Sequence, residues 1–258
     1  MNKSANFMTP WPMLTSMTTL SMCLSLITSM NHVENNTTNS SWSSLKLSMI
    51  TLMLTLYYWG RDSMRDSSTG MHMNNITSNT KLAMILFLLT EAFFFTTFFW
   101  MFISSALIPE QGTWPPTSLH TPSPLGVPSL NTILLVTSSA TVTMSHFQTN
   151  LPNGKPLNWL LLTLMLSILF ITMQYLEYYS STFTMSSGVN GSVFFMTTGF
   201  HGLHVILGSM ALMTCLLLMS QHKYSNTSMM SYEMSIWYWH FVDAVWLMLY
   251  TIFYYWGS

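Results

Sequence analysis

An all-α membrane protein of seven transmembrane helices is the architecture this sequence predicts, and three observations carry the prediction. Half of the residues are hydrophobic and only 6% are charged, against roughly one quarter charged in a soluble domain. The apolar residues fall in long runs, with room for spans of about 20 residues, the length that crosses a hydrocarbon core of roughly 30 Å. The few bases collect on alternate loops, as they do on the positive side of a membrane.

The apolar runs and the polar breaks between them place helices over roughly 11 to 31, 42 to 60, 80 to 108, 128 to 149, 157 to 179, 190 to 220 and 232 to 256. Ser and Thr dilute the first two, whereas the last five are strongly apolar. Pro109, Pro115, Pro116, Pro122, Pro124 and Pro128 mark the join between the third and fourth helices, and Pro152, Gly154 and Pro156 the next one, because both residue types interrupt a helix. Trp11, Trp42, Trp59, Trp100, Trp114 and Trp256 stand near the proposed ends, where interfacial anchors belong. The chain reads as one polytopic membrane domain over 1–258, with helices one and two over about 11–60 and helices three to seven over about 80–256.

Seven spans put alternate loops on opposite sides. Lys3, Arg61, Arg65, Lys81, Lys155 and Lys223 then share the amino-terminal side, while Lys46 lies opposite with Glu34, Glu110 and Glu177. The amino terminus is expected on the positive side and the carboxyl terminus across the membrane. The segment MNKSANFMTPWPML has one base and no Arg-rich stretch, so it does not read as a transit peptide and the first helix is expected in the mature protein.

Several classes are excluded. A net charge of -1 supplies no clustered excess of Lys and Arg for a nucleic-acid partner. The two cysteines, Cys23 and Cys215, lie in apolar stretches, where a thiol packs as a small hydrophobe. No internal repeat of the transporter kind is evident.

Ionisable groups at membrane depth carry the functional reading, since a charge at a helix centre costs roughly 2.5 to 3.5 kcal/mol on insertion scales. Glu91 lies well inside the third helix, in LLTEAFFFTTFFWMF. Its aromatic sequence neighbours offer no compensating charge, so it is expected to hold a proton much of the time. A carboxyl facing a lipid cleft or proton path, and a neutral acid bonded to a neighbouring helix, are both open readings. In GFHGLHVILGSM, His201 and His204 share one helix face, as do His240 and Asp243 in WYWHFVDAVW. These four form either a packing network between helices or a metal site; the small residues Gly199, Gly202, Gly208 and Ser209 favour close helix approach and hence the network.

Arg61, Asp62, Arg65 and Asp66 end the second helix in WGRDSMRDS, at headgroup depth. They either hold a lipid phosphate or pair among themselves. His146 and Glu233 read as solvated helix ends, with contact to a neighbouring subunit as the alternative.

The blocks YYWGRDSMRDSS, TEAFFFTTFFWMF, TWPPTSLH, VPSLNTILLVTSSATVT, LEYYSSTFTMSSGVNGSVFFMTTGFHGLHVILGS and WYWHFVDAVWLMLYTIFYYWGS, in this order over nearly the whole chain, resemble the subunit-three family of cytochrome c oxidase. The resemblance implies a fold whose first two helices are separated from the other five by a lipid-filled cleft. It implies assembly with subunits one and two and small accessory subunits in the mitochondrial inner membrane, with the amino terminus in the matrix and the carboxyl terminus in the intermembrane space. Haem a, haem a3 and copper are then expected on the partner subunits and no cofactor on this chain, which binds phospholipids instead. Glu91 matches the family's membrane-embedded, carbodiimide-reactive glutamate. Trp59, Asp66 and His72 fall where cleft lipids are held, with Arg61 and Arg65 beside them. His201, His204, His240 and Asp243 match its signature in helices six and seven. The sequence departs from the family's usual residues at Gly60, at Lys81 and over 144–147 (MSHF).

The function so implied is that of a non-redox core subunit of complex IV, which supports electron transfer from cytochrome c to oxygen, coupled to proton pumping, by stabilising subunit one. Its competitors are a proton-coupled transporter using Glu91, His240 and Asp243 as a relay, and a membrane metalloenzyme built on the histidines.

Overall fold

The computed structural model describes residues 9–34, 41–68, 74–107, 112, 114, 122–221 and 229–257. Among them are seven α-helices and no strand: α1 (Trp11–Glu34), α2 (Ser41–Ser68), α3 (Asn74–Leu107), α4 (Val127–Thr149), α5 (Pro156–Ser180), α6 (Gly188–Ser220) and α7 (Met230–Leu249), the last continued by a π-helix (Tyr250–Tyr255). Prolines occupy the first turns of α4 and α5, where a missing N–H costs no hydrogen bond. α6 opens on Gly188 at φ +82°, a backbone conformation that suits glycine.

Six of these helices are long and apolar enough to cross a membrane; α2 is not one of them. Of the seven spans expected, all seven helices are present among the described residues and six of them are candidate spans by length and composition. Lys46 and the Arg61–Asp62 pair bracket a stretch of α2 that Ser48, Thr51 and Thr55 dilute. α2 also runs past the expected end at 60 to Ser68, and α3 starts ahead of residue 80, at Asn74. Hydropathy marks the part of a helix that prefers lipid, whereas backbone hydrogen bonding continues into polar residues beyond it.

The chain divides into two compact units, residues 1–73 and 74–258. In the first, α1 and α2 lie antiparallel. Trp11 Nε1 donates to Asp62 Oδ2 at 3.2 Å and Ser25 Oγ meets Ser48 Oγ at 2.9 Å, with Ser25 as far along α1 as Ser48 is back along α2. Among the described residues its buried side chains are serines, Ser25, Ser29 and Ser48, while Leu20, Leu24, Ile27 and Met53 are exposed. Small residues on the seam and apolar ones outside suit a lipid solvent, in which close packing and interhelical hydrogen bonds drive association.

The second unit has an aromatic core, with Phe95, Phe102, Phe170, Phe194, Tyr232, Trp239, Trp246, Phe253 and Tyr254 almost wholly buried. α7 brings three of these rings onto α4 at heptad spacing. Tyr232 Oη donates to Ser145 Oγ at 2.8 Å, Trp239 Nε1 to Ser138 Oγ at 3.0 Å and Trp246 Nε1 to Thr132 Oγ1 at 3.1 Å. Each polar ring atom that burial would leave unpaired thus meets a hydroxyl. α4 also bonds to α5, through Thr141 Oγ1 and Thr163 Oγ1 at 2.9 Å.

A β-carbon on Gly208 would come within 3.0 Å of the Trp239 ring, whereas one on Gly199 or Gly202 would meet nothing within 4 Å. Of the glycines expected to bring helices together, only Gly208 does so, against α7.

Candidate functional site

Glu91 stands on α3 and His204 on α6, and their side chains meet with His204 Nε2 3.1 Å from Glu91 Oε2. Phe95 stands edge-on to the imidazole with centroids 5.1 Å apart, and Tyr238 stacks on it at 6.3 Å. The pair is mostly enclosed, with side chains 12% (His204) and 23% (Glu91) exposed. Sequence reading found no compensating neighbour for Glu91, because its partner lies on another helix.

The other ring nitrogen fixes the chemistry. His204 Nδ1 is 2.7 Å from the Phe200 carbonyl oxygen one turn back. A carbonyl only accepts, so Nδ1 carries a proton. The contact to Glu91 therefore has two forms, a neutral acid donating to Nε2 or an imidazolium donating to a carboxylate. One proton shared between two atoms separates them, and the pair has no net charge in either. This is how a carboxyl and an imidazole can coexist where an isolated charge would be expensive.

His201 and His240 do not join this contact. His201 is buried at 1% exposure between Phe170 and Trp246, with centroids 5.8 and 5.2 Å away, and neither ring nitrogen has a hydrogen-bond partner among the described residues. His240 and Asp243 lie on α7, with Asp243 beside both His240 and Ser139 of α4. Among the described residues no group of three or more His, Cys, Asp and Glu side chains is placed to hold a metal ion.

At the end of α2, the Arg61 guanidinium bonds Asp62 Oδ1 through Nε and Nη2 at 3.2 and 3.1 Å and lies 4.9 Å over the Tyr58 ring. Arg61 remains 41% exposed, and Trp59 and Arg65 are exposed on the same segment. The Asp66 side chain and His72 lie outside the described residues.

Sequence reading missed a second acid. The charge pattern counts Glu177 only among the groups opposite the bases, with Glu34 and Glu110, yet it is 3% exposed and its Oε1 accepts a 2.6 Å hydrogen bond from Tyr254 Oη. The signal was present: Leu160, Thr163, Leu164, Ser167, Phe170, Gln174 and Glu177 form one buried stripe along α5, at the three-and-four spacing of a helix face.

Comparison with known proteins decides the family. The family model described as Cytochrome c oxidase subunit III matches residues 6–258. The chain is also 42% identical over 254 residues to the cytochrome c oxidase subunit 3 of Madoqua guentheri, and equally to those of Litocranius walleri and Gazella dorcas, covering 96% of this chain and 95% of each relative. The chain belongs to the cytochrome c oxidase subunit III family.

It is accordingly a subunit of a respiratory-chain oxidoreductase complex, with several apolar helices that fit a multi-pass membrane protein. Lys81 and the MSHF segment fall at one end of the second unit. Lys81 Nζ on α3 pairs with Glu233 Oε2 on α7 at 3.1 Å, and His146 of the MSHF segment stands edge-on to Tyr232 at 5.9 Å. Glu233 and His146 thus contact their own chain. The ion pair is partly exposed, 45% and 33%, and such a pair contributes little to stability.

Proposed function

We propose that this chain is a non-redox core subunit of complex IV in the mitochondrial inner membrane, which braces subunit one and holds phospholipids while the partner subunits move electrons from cytochrome c to oxygen and pump protons. Family membership over residues 6–258 carries this reading. The histidine geometry supports it. Both ring nitrogens of His204 are engaged, by the Phe200 carbonyl and by Glu91, which leaves no lone pair for a metal, and His201 is lined by aromatic rings.

Phospholipid headgroups are assigned to Trp59, Arg61, Arg65, Asp66 and His72, at the lipid-lined cleft of the family fold. Asp62 occupies one edge of the Arg61 guanidinium, and the exposed remainder suits a phosphate. His201, His204, His240 and Asp243 are read as helix-packing groups and Glu91 as a membrane-embedded acid. The single-domain organisation and seven spans, with the amino terminus in the matrix and the carboxyl terminus in the intermembrane space, belong to the same reading.

Purification of the oxidase in mild detergent, followed by separation of this chain and metal analysis, tests the proposal. Haem a in the complex, with neither iron nor copper on the separated polypeptide, is the expected result. Stoichiometric metal on this chain would overturn it.

A further inference from the structure

Twenty-five of the 258 residues are methionine, and the fold turns them outward. A flexible thioether ordinarily fills gaps in a core, yet among the described residues Met219 is the one methionine of the buried core, where rings and aliphatic chains predominate. The first unit shows the contrast best. Met13, Met17 and Met30 of α1 and Met49 and Met53 of α2 are 44 to 65% exposed, while Ser25, Ser29 and Ser48 occupy the seam. Met13, Met17 and Met30 lie in the candidate span Trp11–Met30. Ser48 meets Ser25 at 2.9 Å, which sets Met49 and Met53 beside the interior of that span. Packing does not call for sulfur at side chains so exposed, since leucine has a similar volume and polarity.

We propose that Met13, Met17, Met30, Met49 and Met53 act as a sacrificial reductant for lipid hydroperoxides in the surrounding bilayer. The thioether sulfur attacks the outer peroxide oxygen, the O–O bond breaks, and the peroxide proton passes to the departing oxygen. Sulfur is oxidised by two electrons to the sulfoxide, and the hydroperoxide is reduced by the same two electrons to the alcohol. No further reactant is consumed. Methionine sulfoxide reductases return the sulfoxide to the thioether, which lets the same side chains react again.

Placement separates a sink from a lesion. Oxidation makes an apolar side chain polar and disrupts a core that contains it. The five side chains stand outside the serine seam, so the Ser25–Ser48 contact does not depend on them. Met219, whose oxidation intrudes on the core, is only 8% exposed.

The test uses the assembled oxidase in phospholipid vesicles that contain a known amount of phospholipid hydroperoxide. Peptide mapping by mass should find sulfoxide at the five positions and not at Met219, with an equal amount of lipid alcohol formed and oxygen reduction unchanged. Replacing all five by leucine should lower hydroperoxide consumption by the amount mapped to them in the parent, and oxygen reduction should then fail sooner under the same peroxide load. The proposal is overturned if the five stay unoxidised, if Met219 is oxidised as readily, if oxygen reduction falls in step with their oxidation, or if the leucine variant survives as long as the parent. Should that variant not assemble, the sulfoxide map and the activity of the parent decide alone. None of these outcomes alters the metal analysis that tests the proposed function.

Discussion

Glu91 and His204 illustrate how a single proton makes two mostly enclosed ionisable residues on apolar helices tolerable. Because His204 Nδ1 donates to the Phe200 carbonyl, Nε2 must either receive a proton from Glu91 or give one to it. Glu91→Gln keeps a donor for the neutral Nε2, since the amide N–H replaces the acid O–H. Glu91→Leu strands a nearly buried nitrogen, at a cost of about 1 to 3 kcal/mol. Thermal release of the subunit from the purified oxidase should therefore occur at a lower temperature for Glu91→Leu than for Glu91→Gln, with the haem spectra unchanged in both. Equal release temperatures would count against the hydrogen bond.

The contact between α4 and α7 repeats one device at three levels, a ring on α7 donating to a hydroxyl on α4. Interhelical hydrogen bonds in membranes average about 0.6 kcal/mol and reach about 1.7 kcal/mol. Trp239→Phe should destabilise the unit by that order, and adding Ser138→Ala should then cost little more. A double-mutant cycle on subunit retention checks the coupling; strictly additive effects would mean that the bond contributes nothing. Gly208 provides the complementary case. An added methyl there is pressed against a Trp239 ring already held by Ser138, so Gly208→Ala should cost about 1 to 3 kcal/mol through overpacking. Gly199→Ala, with open space around the new carbon, should be neutral or stabilising, because alanine favours the helix by up to about 1 kcal/mol. Subunit retention after heating distinguishes the two.

For the molecule as a whole, the proposed orientation is open to test through the position of the bases. Lys155 precedes α5 in an exposed turn, and the Lys81–Glu233 pair ties the starts of α3 and α7; on the proposed topology both sites face the matrix. A membrane-impermeant amine reagent should label Lys155 in inside-out inner-membrane vesicles and leave it unlabelled in intact mitoplasts. Labelling in mitoplasts would reverse the topology.

The helices were legible because a bilayer imposes length and apolarity on a segment independently of its neighbours. Seven helices near their observed positions, with Glu91 inside the third and the two histidine-bearing motifs inside the sixth and seventh, were therefore readable. Which acid met which histidine was not, since the contact joins α3 to α6 and depends on how the helices are rotated. For the same reason nothing in the sequence marks Glu177, near the end of the fifth helix, as the partner of Tyr254 in the π-helix. The three rings of α7 showed their spacing in the sequence, but only packing supplied the hydroxyls that receive them. The sequence by itself determined the solvent, the segments and the family; tertiary structure alone decided the partner of each buried polar atom, because hydrogen bonds reach only about 3 Å and that proximity arises when the helices pack.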